Sequence, residues 1–330
     1  MRSSIFILFC CLSNLAIAQF APQAGISGST GIHKTSLVFK AWAKDCNVER
    51  GFLDIADKSL GKTTLGDNTS ALGIADAEVV SLGDSGVATL HFSPAIYNGD
   101  GADFAVFENG FQNPANFEEA FLELAFVEVS SDGIHYFRFP ATSNTLSNVQ
   151  IAGSGEYMNA RLIDNLAGKY IAQYGTPFDL ENLKGTAGLD INNINSIRIV
   201  DVIGAINGYQ STDRNGQKIN DPYPTAFPTG GFDLDAIGAI NINGSSIVET
   251  NIAQANIYPN PATDRLFIQL KMEEGEHLTI VICDISGKQL YSQHANKHNE
   301  IDVSSLVPGL YLINILSEKK SQCIGKFSKI

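Results

Sequence analysis

The segment that most restricts how this 330-residue chain can fold is the apolar run Phe121–Val129, set inside the longer stretch Asp103–Arg138. Side chains of an extended chain alternate, so Phe121, Ala125 and Val127 share one face while Leu122, Leu124 and Phe126 share the other. A strand that is apolar on both faces has to be covered on both. Ser130-Ser131-Asp132-Gly133 then offers a hairpin turn into His135–Phe139, with Asp-Gly suited to positive φ. The run therefore predicts the middle of a β-sandwich.

The flanking chain keeps the same rhythm. Strand-like segments recur around Phe39–Ala43 with the only tryptophan, Trp42, and at Glu78–Leu82, Gly86–Phe92, Ser196–Ile206 and Phe232–Ile240, separated by Gly-Asp turns. Pro140–Gly188 is more polar and carries helical candidates at Arg161–Tyr174 and Leu180–Lys184, the second with Asp179 placed as N-cap. Asn241–Gln254 reads as a linker. Short strands follow at Leu266–Leu270, Leu278–Asp284, Gln289–Tyr291, Glu300–Val303, Gly309–Leu316 and Gln322–Ser328. The expected fold class is all-β: an N-terminal jelly-roll-like β-sandwich with a helical insertion, then a small C-terminal immunoglobulin-like β-sandwich. The expected division is a signal peptide at 1–18, the first sandwich at 19–243, a linker at 244–254 and the second sandwich at 255–330.

Charge and cysteine usage narrow the setting. A net charge of −13 repels nucleic acid and anionic lipid, and removal of Arg2 with the leader would leave −14. Arg2, the apolar run Ile5–Leu12 and Ala16-Ile17-Ala18 form a secretory signal whose apolar part is too short to span a bilayer, so no transmembrane segment is expected after cleavage. Cys46, Cys283 and Cys323 would remain. That odd number is no disulfide framework; a Cys283–Cys323 pair stays open, and buried thiols are the simpler expectation.

The C-terminal blocks are specific in kind and order. They run Ile257-Tyr258-Pro259-Asn260-Pro261-Ala262, Cys283-Asp284-Ile285-Ser286-Gly287-Lys288, Ile301-Asp302-Val303-Ser304-Ser305-Leu306, Pro308-Gly309-Leu310-Tyr311, and a terminal Gly325-Lys326-Phe327-Ser328-Lys329. This series resembles the type A sorting domain of type IX secretion. The resemblance implies recognition by the type IX machinery, export through the periplasm of a Gram-negative bacterium, and attachment to surface lipopolysaccharide or release. Upstream, Asn47–Gly51, Ser81–Asp84, Asp103–Gly110, Glu128–Gly133, Tyr174–Leu180 and Gly230–Ile237 resemble a family of bacterial cell-surface proteins. That resemblance implies a galactose-binding-like jelly roll and no particular activity; relatives accompany outer-membrane uptake systems, with cobalamin as one cargo.

Three groups of residues are candidates for a site. Asp213, Asn215, Asn220 and Asp221 place four oxygen donors in one loop around Gly216, a composition suited to Ca2+ or equally to an Asx-rich turn. Asp233 and Asp235, about 7 Å apart on one strand face, would join that metal set or bond to backbone amides and Arg198. Tyr209, Tyr223 and Phe227 lie in an unusually long connection and are expected to form a flat platform for a glycan or other small ligand, with Glu108 as a further contact. Catalysis is disfavoured though open. Glu108, Glu123 and Glu128 are available to a glycosidase, but Glu123 and Glu128 point to opposite faces of one strand, so only Glu108 with Glu123 remains, and only if their strands neighbour one another on the same face; carboxylates satisfied by Arg50, Arg138 or Arg198 are the simpler expectation. No nucleophile elbow or zinc motif is present, and the histidines are scattered. The reading is non-catalytic ligand binding at the cell surface, stabilised by calcium. Nutrient capture for an outer-membrane transporter (cobalamin, for instance), a glycan-cleaving hydrolase and a structural adhesin are the alternatives.

Overall fold

A computed structural model describes residues 20–153, 155–243, 255–270, 278–317 and 320–330, the backbone alone for 317 and 320–324. The signal peptide and linker expected from the sequence lie outside the described residues, as does the side chain of Cys323. Cys46 and Cys283 are both buried.

Two antiparallel sheets form the N-terminal sandwich. One runs Ile32–His33, Tyr174–Phe178, Phe104–Glu108, Asp233–Ala239, Ala41–Trp42, with Val80–Ser81 also on Asp233–Ala239. The other runs Phe137–Arg138, Ala125–Ser130, Ile194–Asp201, Val87–Ile96, Cys46–Glu49. The two-faced pattern is realised. Ala125, Val127 and Val129 enter the inter-sheet core with Phe104, Val106, Ile197 and Ile199. Leu122, Leu124 and Phe126 enter a second core beneath the polar region, with Met158, Ile163 and Ile219. Strand Phe104–Glu108 does the same on its side, since Ala105 and Phe107 pack outward against Phe39 and Trp42. The expected hairpin forms, with Gly133 at φ 74° and Phe137 opposite Val129.

The single strand expected across Phe121–Val129 is broken in two. Glu119–Phe121 belongs to a small accessory sheet with Phe111–Gln112 and Met158–Asn159, while Ala125–Ser130 belongs to the sandwich. The break turns Phe121 away from the core and onto Phe111. The helical insertion is also reduced. Arg161–Tyr174 holds only the tail of a 3-10 turn, Ala160–Leu162, followed by a two-residue strand. Its backbone is taken up by tertiary pairing (Ala167 exchanges both hydrogen bonds with Ala125), so a local helix would cost those bonds. Leu180–Leu183 is a 3-10 turn, and Asp179 caps it as expected by accepting from Glu181 N at 2.9 Å.

The C-terminal domain is a second sandwich with its own core of Leu266, Ile268, Ile280, Ile282, Ile301, Ile313 and Phe327. Its sheets run Asn256–Tyr258, Arg265–Gln269, His298–Asp302 and Gln289–His294, Thr279–Cys283, Gly309–Ser317, Lys320–Lys329. All six expected strands appear. The motif residues hold its turns. Asn260 accepts from Ser328 N and donates to Lys326 O, tying the entry turn to the last strand. Asp284 accepts from Ser286 N and Lys288 N across a turn where Gly287 takes φ 84°.

Candidate functional site

Antiparallel pairing brings several strand ends to one end of the N-terminal sandwich. Leu234 at the start of one strand pairs with Glu108 at the end of another, and Asp201 pairs with Ala125. Alternation decides where the carboxylates there point. Glu108 continues the inward face of Phe104 and Val106, Glu123 that of Ala125 and Val127, and Asp201 that of Ile197 and Ile199. Glu108, Glu123, Asp201, Asp221 and Asp233 are all buried, with Asp84 at the margin. Neighbouring carboxylates raise one another's pKa after burial has raised them first. Glu108 is pushed well above the usual range by desolvation and then Asp233, and Glu123 by desolvation, Asp233, Glu108, Asp221 and Asp201. Asp201 and Asp221 are likewise held high by burial, and Asp84 is lifted to about 6.

Hydrogen bonding divides this group. Asp201 accepts from Phe232 N at 2.8 Å and Ser85 N at 3.0 Å, so both oxygens are occupied by the backbone. Asp233 accepts from Ser81 Oγ and, at 2.9 Å, from Asn109 Nδ2. Asp221 accepts from Leu124 N at 2.9 Å. Glu108 Oε2 accepts from Gly110 N at 2.8 Å, but its Oε1 is buried with no partner. The Glu123 carboxyl group lies within electrostatic reach of Asp233, Glu108, Asp221 and Asp201. No ion pair among the described residues involves any of the five. Arg50 is the cation whose charge is felt at Asp233, yet its guanidinium donates to the carbonyls of Leu65, Gly66 and Ser81. Arg138 and Arg198 pair with Glu128, as expected of that carboxylate, while among the described residues no arginine pairs with Glu108 or Glu123, which corrects the expectation for those two.

The loop expected to bind metal does not gather its donors. Asp213 accepts from Asn215 N, Gln217 N and Ser143 N, forming an Asx turn with Gly216 at φ 76°. Asn220 accepts from Ile151 N and donates to Leu146 O and Val149 O. Asn215 is exposed, while Asp221 turns inward to the buried acids. Asp235 accepts from Asp76 N and Ala77 N, as one reading expected, because a register shift between Leu234 and Ala236 separates it from Asp233. Among the described residues, no three His, Cys, Asp or Glu side chains as placed converge enough to hold a metal ion.

Nor do the three aromatics of the long connection form one platform. Tyr209 and Phe227 are exposed, Tyr223 is half-buried and donates to Asp54 at 2.7 Å, and none of the described ring pairs joins them. The rings that do gather are on the accessory sheet. Phe111 stacks on its cross-strand partner Phe121 at 5.0 Å, Tyr157 stands edge-on to Phe111 at 6.3 Å, and Phe117 is 65% exposed in the connecting turn. That turn is pinned by Gln112 Nε2 donating to Phe117 O and Asn113 Nδ2 donating to Glu119 Oε2. Sequence reasoning missed these rings because the run looked like one core strand; the polar break Gln112–Glu119 was the available signal.

No curated protein matches this chain. Among solved structures it is similar to a domain titled "Biofilm associated protein - BSP domain" at 11% identity and TM-score 0.23, covering 88% of this chain and 52% of that one. It is also similar to a beta-1,2-glucanase from Parabacteroides distasonis at 11% identity and TM-score 0.26, covering 74% and 30%. A Lactobacillus rhamnosus beta-glucuronidase gives 12% identity and TM-score 0.19, covering 89% and 45%. The chain spans about half or less of these structures, and scores this low carry no argument. No helix among the described residues is long and apolar enough to cross a membrane. Residues 256–329 match the secretion system C-terminal sorting domain, so this end of the chain is a type IX sorting domain and marks the protein for export to the cell surface or beyond.

Proposed function

We infer that the N-terminal sandwich is a binding module that holds its ligand without turning it over. The observation that carries this reading is the aromatic face of the accessory sheet. Apolar surface held outward by ordered structure marks an interaction site more often than scattered exposed residues do. The inner side of the same sheet, Ala120 and Met158, is core, so the rings are held in place from beneath. Flat ring faces suit the C–H face of a sugar, and Gln112, the Glu118–Arg161 pair and the carboxylate of Glu119 supply a polar rim whose one uncompensated negative charge disfavours an acidic sugar. A neutral glycan is therefore the preferred ligand. The strand of Glu108 pairs with Tyr174–Phe178 and Asp233–Ala239 and not with Ala125–Ser130, the strand after Glu123, so the two acids lack the neighbouring strands set as the condition for a carboxylate pair; at 1% and 4% exposure they are also closed to a glycosidic bond, which supports binding over hydrolysis. In this reading a hard cation such as Ca2+ serves the fold, and surface lipopolysaccharide is the anchor to which the sorting domain leads.

A glycan array and a corrinoid titration on the mature chain separate a sugar ligand from a cobalamin-like one. The double variant Phe111→Ala/Phe117→Ala should weaken glycan binding by about tenfold or more, equivalent to about 1.4 kcal/mol. Unchanged binding in that variant, with loss in Tyr209→Ala or Phe227→Ala, would move the surface back to the long connection. Deleting 255–330 should keep the protein in the periplasm, and surface display of the shortened chain would refute the address.

A further inference from the structure

Arg198 is a cation that its neighbours leave unsatisfied. It lies in the middle strand of the five-stranded sheet, and Ile197 and Ile199 beside it enter the inter-sheet core, so its own side chain stands on the outer face. Strand pairing sets it in a row that crosses the sheet in the order Arg138, Glu128, Arg198, Thr89, Asn47. The first two members satisfy one another: Arg138 donates from Nε and Nη2 to Glu128 Oε1 at 3.0 and 2.8 Å. Arg198 Nη1 stands 3.6 Å from Glu128 Oε2, close enough for charge attraction and too far for a hydrogen bond. Its guanidinium is held instead by the Tyr136 ring, with the central carbon 3.5 Å from the ring centroid. Among the described residues none accepts a hydrogen bond from Arg198; its Nε is buried without an acceptor, while the terminal nitrogens reach solvent. The side chains of Thr89 and Asn47 make no hydrogen bond among the described residues either.

We propose that this row binds the carboxylate of an acidic sugar, anchored on the terminal nitrogens of Arg198. Stacking on Tyr136 fixes the guanidinium plane and leaves its edge free, and a planar carboxylate meets that edge with two parallel hydrogen bonds. Charge selects the same group. Two guanidinium groups face one carboxylate here, so one positive charge is left over, and a single carboxylate cancels it. A phosphate monoester, at about −1.5 to −2, would overshoot and press on Glu128. The chain's net charge of −13 opposes anions from afar, but exposed charges are screened beyond about 8 Å, so the local excess decides. Strands lie about 4.8 Å apart, which places the free hydroxyl of Thr89 and then the free carboxamide of Asn47 in line beyond the anchor. Both groups donate and accept, as the hydroxyls of a sugar require. The site goes beyond the binding reading above: it lies on a different sheet from the rings of Phe111 and Phe121, and takes the charged sugars that their rim disfavours.

The test is NMR titration of the mature chain with methyl galacturonide, its uncharged twin methyl galactoside, and galactose 6-sulfate. Saturable binding of the galacturonide is expected, with the galactoside weaker by about tenfold or more and the sulfate intermediate. Arg198→Gln should cut galacturonide affinity by about tenfold or more, and Thr89→Val, which keeps side-chain size, by about threefold. Phe111→Ala/Phe117→Ala should leave it unchanged. No saturable galacturonide binding by the unmodified chain overturns the proposal, as does equal binding of the galactoside or tighter binding of the sulfate. Affinity untouched by both Arg198→Gln and Thr89→Val, or lost in the double phenylalanine variant, also overturns it. Loss of neutral-glycan binding in the phenylalanine variant is read separately, so either site can fail while the other stands.

Discussion

Asp103 and Glu108 bracket the same strand, and both carboxyl groups are buried. Their surroundings differ. Asp103 accepts from Gly99 N at 2.8 Å, Leu180 N at 2.8 Å and Asn241 Nδ2 at 2.7 Å, so it stitches two connections and a neighbouring strand end to the sheet. Glu108 receives backbone N–H groups only from the next two residues, Asn109 and Gly110, and faces other acids. One end of the strand uses a buried acid as a structural joint. The other collects acids beyond what its donors can satisfy. A buried carboxylate is therefore no sign of function in itself; the number of donors it meets decides what it does.

That contrast can be broken by experiment. The largest effect should come from Asp103→Ala, which leaves one buried and two part-buried donors without an acceptor and should cost about 3 kcal/mol in urea unfolding. A loss under about 1 kcal/mol would mean that water replaces the carboxylate and that the two ends are alike. Glu108→Gln should act in the opposite direction at alkaline pH, stabilising the fold by about 1 kcal/mol, because a buried carboxyl group whose pKa burial raises no longer has to ionise there. Destabilisation there would place Glu108 among the joints.

A smaller effect separates the ends by pH. Asp84, beside the acid cluster, is lifted from 3.8 to about 6, chiefly by burial, so the folded state holds its proton longer than the unfolded chain does. Its contribution to stability is fully present below the unfolded value and is lost as pH rises through about 6. The Tm of chelator-treated protein should therefore fall between about pH 4 and about pH 7, and Asp84→Asn should flatten the curve. A Tm that rises over that interval would contradict the assignment. Smallest of all, Phe117→Ala should change stability by less than about 0.5 kcal/mol, since the ring already faces water. A larger loss would show that the aromatic face is packing and not a binding surface.

Much of the fold was legible because side-chain alternation is a local property. The two apolar faces of Phe121–Val129 announced cover on both sides, and the C-terminal motif blocks specified their turns through Pro, Asn, Asp and Gly at fixed positions. The failures share one physical origin. Nothing local distinguished Phe121 from its core neighbours, and only the pairing of Glu119–Phe121 with Phe111–Gln112 turned it outward. Residues 161–174 had helical composition, but tertiary partners such as Ala125 claimed the backbone.

The site divides in the same way. The sequence by itself determined that Glu123 keeps step with Ala125 and Val127, because alternation along a strand needs no knowledge of its neighbours; with both faces of that run apolar, it did not decide that this row, or those ending in Glu108 and Asp201, faces inward. Tertiary structure alone decided that three rows from two sheets end at the same place, that Asp221 turns in to join them, and that Asp213 and Asn220 spend their oxygens on nearby backbone. Convergence of strand ends is a matter of topology, and topology is settled by contacts between residues far apart in the chain.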